Sequence, residues 1–169
     1  EENWIQDVLV SLIGYRRDAI TLCYAVANAA RARLGAQWAA LVFAVQNDSS
    51  STGTFADGII AHARLGGPYF VTPVKNGGAA TQGASLDNYI EHEMAHAFWA
   101  LDEHLPSSGW WACSLTSGYL NISNYNSYVP ADGYCTSGVP GVHCLMRGNY
   151  PDDICVYTEG QIGWADRNS

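Results

Sequence analysis

The sequence predicts a single α+β domain: two helices, a small mixed sheet, one central helix, then an irregular lobe held by disulfides. Three observations carry this. A chain of 169 residues is long enough for one substantial core. Hydrophobic residues make up 48% and charged residues only 14%, a balance that folds rather than stays disordered. Helix-like and strand-like apolar segments fill the first hundred residues, whereas Cys113, Cys135, Cys144 and Cys155 crowd into a Gly-, Ser- and Asn-rich stretch after Leu105. Residues 1–169 are therefore expected to form one unit, with an N-terminal subdomain over about 1–101 and a C-terminal one over about 102–169.

The elements follow in order. Asn3 and Gln6 resemble a capping box, and Ile5, Val8, Leu9, Leu12 and Ile13 keep helical spacing up to Gly14. Val8–Ile13 also reads as a strand, because short apolar runs do not separate the two. Asp18–Leu34 is an alanine-rich helix closed by Gly35. Trp38–Gln46 is a buried strand, followed by a polar loop over Asn47–Gly53. Gly58–Leu65 and Pro68–Val74 make two further strands about Gly66-Gly67, and Gly77, Gly78 and Gly83 mark a loop. Ser85 then caps a helix from about Leu86 to about Ala100.

A formal net charge of −8, with eight scattered Lys and Arg, argues against nucleic acid or anionic membrane as partner. The pairs Arg16-Arg17 and Arg31/Arg33 read as solvated helix ends. The longest apolar run, Trp38–Val45, is far too short to span a bilayer. No basic segment with a following apolar run opens the chain, and no initiator Met is present, so a processed or excised form is expected. Four cysteines clustered in loops read as two disulfides and an oxidising, secreted setting. Of three pairings, Cys113–Cys135 with Cys144–Cys155 closes the most local loops. Cys23, in an apolar helical stretch, reads as a buried free thiol. No C-x-x-C spacing supports a zinc site made from the four cysteines.

The segment His92-Glu93-Met94-Ala95-His96 carries chemistry. Residues four apart on a helix stand nearly above one another, about 6 Å apart along the axis. His92 and His96 thus project two imidazoles from one face, suited to one Zn2+ ion, while Glu93 stands one step round, able to reach a metal-bound water without ligating. Zinc-assisted amide hydrolysis needs that division: the cation acidifies the water and the carboxylate carries its proton to the leaving amine. Two histidines satisfied by neighbouring carbonyls on a half-buried helix are the bland alternative. Asp102, Glu103 and His104 are the nearby candidates for a third ligand, with a distant carboxylate as a further one.

The run HEMAHAFWALD resembles the long zinc motif of the metzincin clan of metallopeptidases, in its form with Asp in the last place, as in snapalysin-like enzymes. The resemblance implies Asp102 as third ligand and a metzincin-like fold with an edge strand at the cleft and an active-site helix. It departs at Trp99, where the clan has a turning Gly; since Trp lacks glycine's backbone freedom, the turn is expected at Ala100-Leu101. Cys144-Leu145-Met146-Arg147 looks like the clan's methionine turn, with Met146 beneath the metal. The strand before the active-site helix, represented here by Ile60, Ala61, His62 and Ala63, would pair with extended substrate. LGGPY, ALDE, CLMRG and YTEGQIGW look most like a group of bacterial secreted peptidases, over roughly residues 36 to 164. The implied activity is that of a metalloendopeptidase on extended polypeptide, expected to act as a monomer.

Weaker candidates remain. Tyr150, Tyr157, His143 and Arg147 lie close enough in sequence to Met146 to assist an oxyanion. The tyrosine that astacin-like relatives place two residues after the Met is Gly148 here. Trp110, Trp111, Tyr119, Tyr125, Tyr128 and Tyr134 form an aromatic lobe that either packs or lines a substrate or sugar pocket. Asn121, Asn124, Asn126 and Asp132 offer oxygen ligands to Ca2+, although without a regular loop signature. The competing function is a secreted binding or adhesion module, with carbohydrate as one candidate ligand and an inert zinc site. Glu93 separates the two, since a structural site has no use for that carboxylate.

Overall fold

Helix α1 (Asn3–Ile13) buries Ile5 and Leu9, one turn apart, so the helical reading of Val8–Ile13 holds over the strand. Asn3 lies within the helix, and Gly14 at φ 81 ends it. This is a computed structural model, and it describes residues 3–46, 54–55, 58–74, 86–104, 111–127, 135, 141–148 and 153–164. Helix α2 (Ala19–Leu34) starts where the Asp18 side chain accepts from Thr21 N at 2.9 Å and stops at Gly35, φ 64. Its buried face is Ala19, Leu22, Cys23 and Ala27. Cys23 carries no disulfide and is fully buried, as expected.

Strands β1 (Leu41–Val45), β2 (His62–Ala63) and β3 (Tyr69–Pro73) form one mixed sheet in the order β1-β3-β2. β1 runs parallel to β3 with Leu41 opposite Tyr69, and β2 runs antiparallel with His62 opposite Val71. The central strand is β3, buried along its whole length. β1, expected to be buried, is an edge strand whose Val42 and Ala44 face outwards. An apolar run reads alike whether its strand is covered on one face or two, so only the strand order decides. The strand expected over Gly58–Leu65 shrinks to His62–Ala63, because Phe55 N–H donates to Ile59 O and Gly58 N–H to Phe55 O, a local turn that takes these groups from the ladder. Ile5, Leu9, Leu22, Cys23, Tyr69 and Val71 form the core between the helices and this sheet.

Helix α3 (Leu86–Ala97) packs against β3 and β2 on one side and against α4 (Leu145–Gly148) on another. It ends three residues before the expected Ala100, and its expected cap Ser85 lies outside the described residues, as do the loops over 47–53 and 75–85. The C-terminal lobe is more regular than its sequence suggests. It holds a hairpin of β4 (Thr116–Ser117) and β5 (Ile122–Ser123), the turn α4, and helix α5 (Val156–Ile162). Elements of two to seven residues are too short to display a period. A second core of Ala95, Ala100, Cys144, Leu145, Met146 and Cys155 joins α3 to this lobe. Among the described residues no helix is long and apolar enough to cross a membrane.

Cys113 and Cys135 form the expected disulfide, Cα–Cα 5.5 Å, which staples the lobe by on the order of 3 kcal/mol. Cys144 and Cys155 do not pair covalently; both are buried free thiols. Cys144 Sγ sits 3.2 Å from Thr158 Oγ1, and the Cys155 thiol donates to Glu103 Oε1 at 3.3 Å. Loop length brought the two cysteines together but could not register the carboxylate buried beside them. Thiol titration of the unfolded, unreduced chain is expected to count Cys23, Cys144 and Cys155; a count of one would restore the second bridge.

Candidate metal centre

His92 and His96 stand one turn apart on α3 with ring centroids 4.8 Å apart, edge to face. Each ring is anchored through Nδ1, His92 to Leu145 O at 3.2 Å and His96 to Ala100 O at 2.7 Å. A carbonyl only accepts, so both Nδ1 atoms carry the proton, and in the neutral rings both Nε2 atoms present a lone pair. Leu145 belongs to the predicted methionine turn, whose Met146 is fully buried beside α3.

The third group arrives through the way α3 ends. Ala100 N–H donates to Ala95 O and Trp99 N–H to His96 O, with Trp99 at φ 76. This is a Schellman motif with a left-handed residue at its C′ position. The turn therefore falls at Trp99 itself and not at Ala100-Leu101: the hydrogen bonds of the helix end compensate a left-handed backbone that costs a non-glycine residue of order 1–2 kcal/mol. Gly66 N–H also donates to His96 O, tying the turn before β3 to the same helix end. Beyond the turn, Leu101 N–H donates to Oε1 of the fully buried Gln161 on α5 at 2.8 Å. An unpaired N–H here would cost about 1–3 kcal/mol, so α5 fixes the segment that carries Asp102.

Asp102 Oδ1 lies 3.0 Å from His92 Nε2 and 3.3 Å from His96 Nε2. Oδ2 accepts from Trp111 Nε1 at 3.1 Å, and Asp102 O accepts from Asn124 Nδ2 at 2.9 Å. Trp111, read from sequence as either packing or lining a pocket, thus orients the carboxylate and lines the cleft; nothing in its sequence context signalled that partner. His104 Nδ1 is 3.4 Å from the same Oδ1 and 3.2 Å from Met146 O. By mutual distance, His92, Asp102 and His104 form a group able to hold a metal ion. His96 reaches the shared oxygen slightly more closely than His104 does, and with a nitrogen not engaged by a carbonyl.

The carboxylate and the imidazoles offset one another's charge. Burial works against the charge on Asp102, yet the hydrogen bonds and charges of the two imidazoles hold it well below the usual carboxylate range. Burial also opposes a charge on His96, but Asp102 and Glu93 outweigh it and raise the ring to about 9. Burial alone dominates at His92, which is lowered. Glu93 is pushed up to about 7, chiefly by burial, and its Oε2 is the one buried carboxylate oxygen without a hydrogen-bond partner among the described residues. A buried acceptor left this way awaits a donor. The donor set of two anchored imidazoles and an oriented carboxylate, with this orphaned oxygen beside it, fits a metal ion.

His92, Glu93, His96 and Asp102 line one cleft of about 1010 Å³, which Ile60, Ala61, His62 and Ala63 line as well. The chain matches no protein-family model, no curated protein and no solved structure. Its site must be read from its own geometry. Glu103, a third-ligand candidate in the sequence, turns away from the cleft: it is fully buried, accepts from Thr158 and Asn126, and is pushed up to about 8 by burial first. With Cys144 and Cys155 it forms a second group able to hold a metal ion, away from the cleft lining. Asn124 and Asn126 use their amide groups to tie Asp102 O, Glu103 and Val142 O, while Asp132 lies outside the described residues. Arg147 donates to Asn126 O, Tyr157 stacks edge-on with Tyr125, and His143 is exposed; none of the three lines the cleft. Tyr150, Trp110, Tyr128 and Tyr134 also lie outside the described residues.

Proposed function

We propose that this chain is a secreted zinc-dependent endopeptidase with a metzincin-like site, in which His92, His96 and Asp102 hold the metal and Glu93 is the general base and acid. The observation that carries the reading is the convergence of His92 Nε2 and His96 Nε2 on Asp102 Oδ1 beside the unpartnered Glu93 carboxylate. Zinc bonds of about 2.0–2.1 Å at tetrahedral angles hold ligand atoms about 3.3–3.4 Å apart, close to the 3.0 and 3.3 Å separations here. Zinc bound there would supply an acidified water and a Lewis acid for the scissile carbonyl. Glu93 takes the proton of the attacking water on its orphaned oxygen and returns it to the leaving nitrogen. The low-dielectric wall of Tyr89 and Leu101 strengthens these charge interactions.

The substrate class follows from the cleft wall. β2 sits at the end of the strand order and lines the cleft, so its outer edge is suited to pair with extended backbone. Secretion is supported by the Cys113–Cys135 disulfide, a bond that persists in oxidising compartments. The test is metal removal. Chelation by 1,10-phenanthroline is expected to abolish cleavage of a casein-type substrate, and stoichiometric zinc to restore it. Cleavage that survives complete demetallation would sink the proposal.

A further inference from the structure

Resting on the peptidase reading, we propose that the cavity behind Trp99 is a specificity pocket for a large apolar or aromatic side chain of the substrate, with the Trp99 indole as its platform. A second cavity of about 400 Å³ shares three walls with the metal cleft, Leu65, Trp99 and Leu101, so it opens where a substrate's flanking residues would lie. The shared wall ends one residue before Asp102.

Trp99 is an unexpected occupant of its position. The C′ residue of a Schellman motif is usually glycine, for which a positive φ is free of penalty. Trp99 gains only partial burial in exchange, since it remains 42% exposed. Its ring instead lies against Gly66, where a Cβ would come within 2.4 Å of Trp99 Cζ2, so this contact requires glycine there. Ser117 Oγ donates to Trp99 O at 2.6 Å and fixes the backbone. Among the described residues the non-glycine positions at positive φ are Trp99 and Asn121, and both line this cavity. A left-handed backbone kept at Trp99, with its large aromatic surface left partly open to this pocket, points to ligand binding more than to packing.

The lining sets the ligand's chemistry. Leu65, Trp99, Leu101, Leu115 and Tyr119 supply apolar surface, Thr116, Ser117 and Asn121 add neutral polar groups, and no lining residue among those described is charged. The volume falls in the range of small-ligand sites.

The experiment compares the full chain with Trp99→Gly and Trp99→Phe on peptides of one backbone, varying Phe, Leu, Ala and Asp on either side of the cleaved bond. The wild type is expected to prefer Phe or Leu over Ala at one position by ~10-fold or more in kcat/KM, as methylene discrimination in apolar pockets allows. Trp99→Gly is expected to lose that preference without a lower Tm or a lower metal content, and Trp99→Phe to retain most of it. An undiminished preference in Trp99→Gly, or none in the wild type, overturns the proposal. Binding separates this failure from that of the peptidase reading. Titrating Glu93→Gln with N-acetyl-phenylalaninamide is expected to shift one indole N–H resonance, absent from the double variant with Trp99→Gly. That shift supports the pocket even if no peptide is cleaved; its absence counts against the pocket even if peptides are.

Discussion

Replacing Glu93 by Gln is expected to leave bound metal unchanged and to reduce peptide hydrolysis by about 10²–10⁴-fold, the usual worth of a positioned acid/base. The substitution keeps the shape of a buried side chain, so packing on α3 is preserved. It also exchanges a carboxyl that burial pushes up to about 7 for a group that needs no ionisation, so folding stability should not fall. His92 and His96 keep their anchors at Leu145 O and Ala100 O, neither of which involves Glu93. Initial rates together with metal per chain decide the matter. A Gln variant within a few-fold of wild type would remove Glu93 from the reaction, whereas loss of metal in the same variant would recast it as a ligand or a supporting group.

Asp102→Ala is expected to weaken metal binding by more than the ~10–100-fold typical of losing an outer partner of a ligand. It removes the oxygen on which both Nε2 atoms converge and the acceptor of the Trp111 indole. It also removes the charge that raises His96, whose pKa should fall because only Glu93 and the Ala100 carbonyl then oppose burial. His104→Ala is the matched control. Its Nδ1 faces both Asp102 Oδ1 and Met146 O, and its side chain is 42% exposed. Its loss should change affinity far less. Competitive titration of zinc with a chromophoric chelator measures both variants. Unchanged affinity in Asp102→Ala with a collapse in His104→Ala would transfer the third place to His104.

The first two ligand candidates and Glu93 were legible because helix geometry makes spacing equivalent to position: four residues along α3 is one turn, whatever surrounds it. The third was named by its place in a motif, and the means of bringing it in was misjudged. Sequence placed the turn after Trp99 on the ground that a bulky residue avoids left-handed backbone. The structure has Trp99 there because Ala95 O and His96 O are both satisfied across it. The cysteines show a similar limit. Loop length predicted Cys113–Cys135, and placed Cys144 near Cys155, but did not show that Glu103 and Thr158 would engage the second pair.

The amino-acid order alone therefore determined the α+β class, helix α2, the face of α3 that bears two imidazoles, and the carboxylate next to them. These depend on local periodicity and on caps within a few residues, which a chain carries wherever it folds. Only the tertiary structure decided which strand is central, how far the cleft wall pairs, that Gln161, Trp111 and Asn124 hold the Asp102 segment, and that Glu103 turns inward. Each of those depends on partners seven to sixty residues away, and a contact across such a distance is fixed by packing, not by spacing.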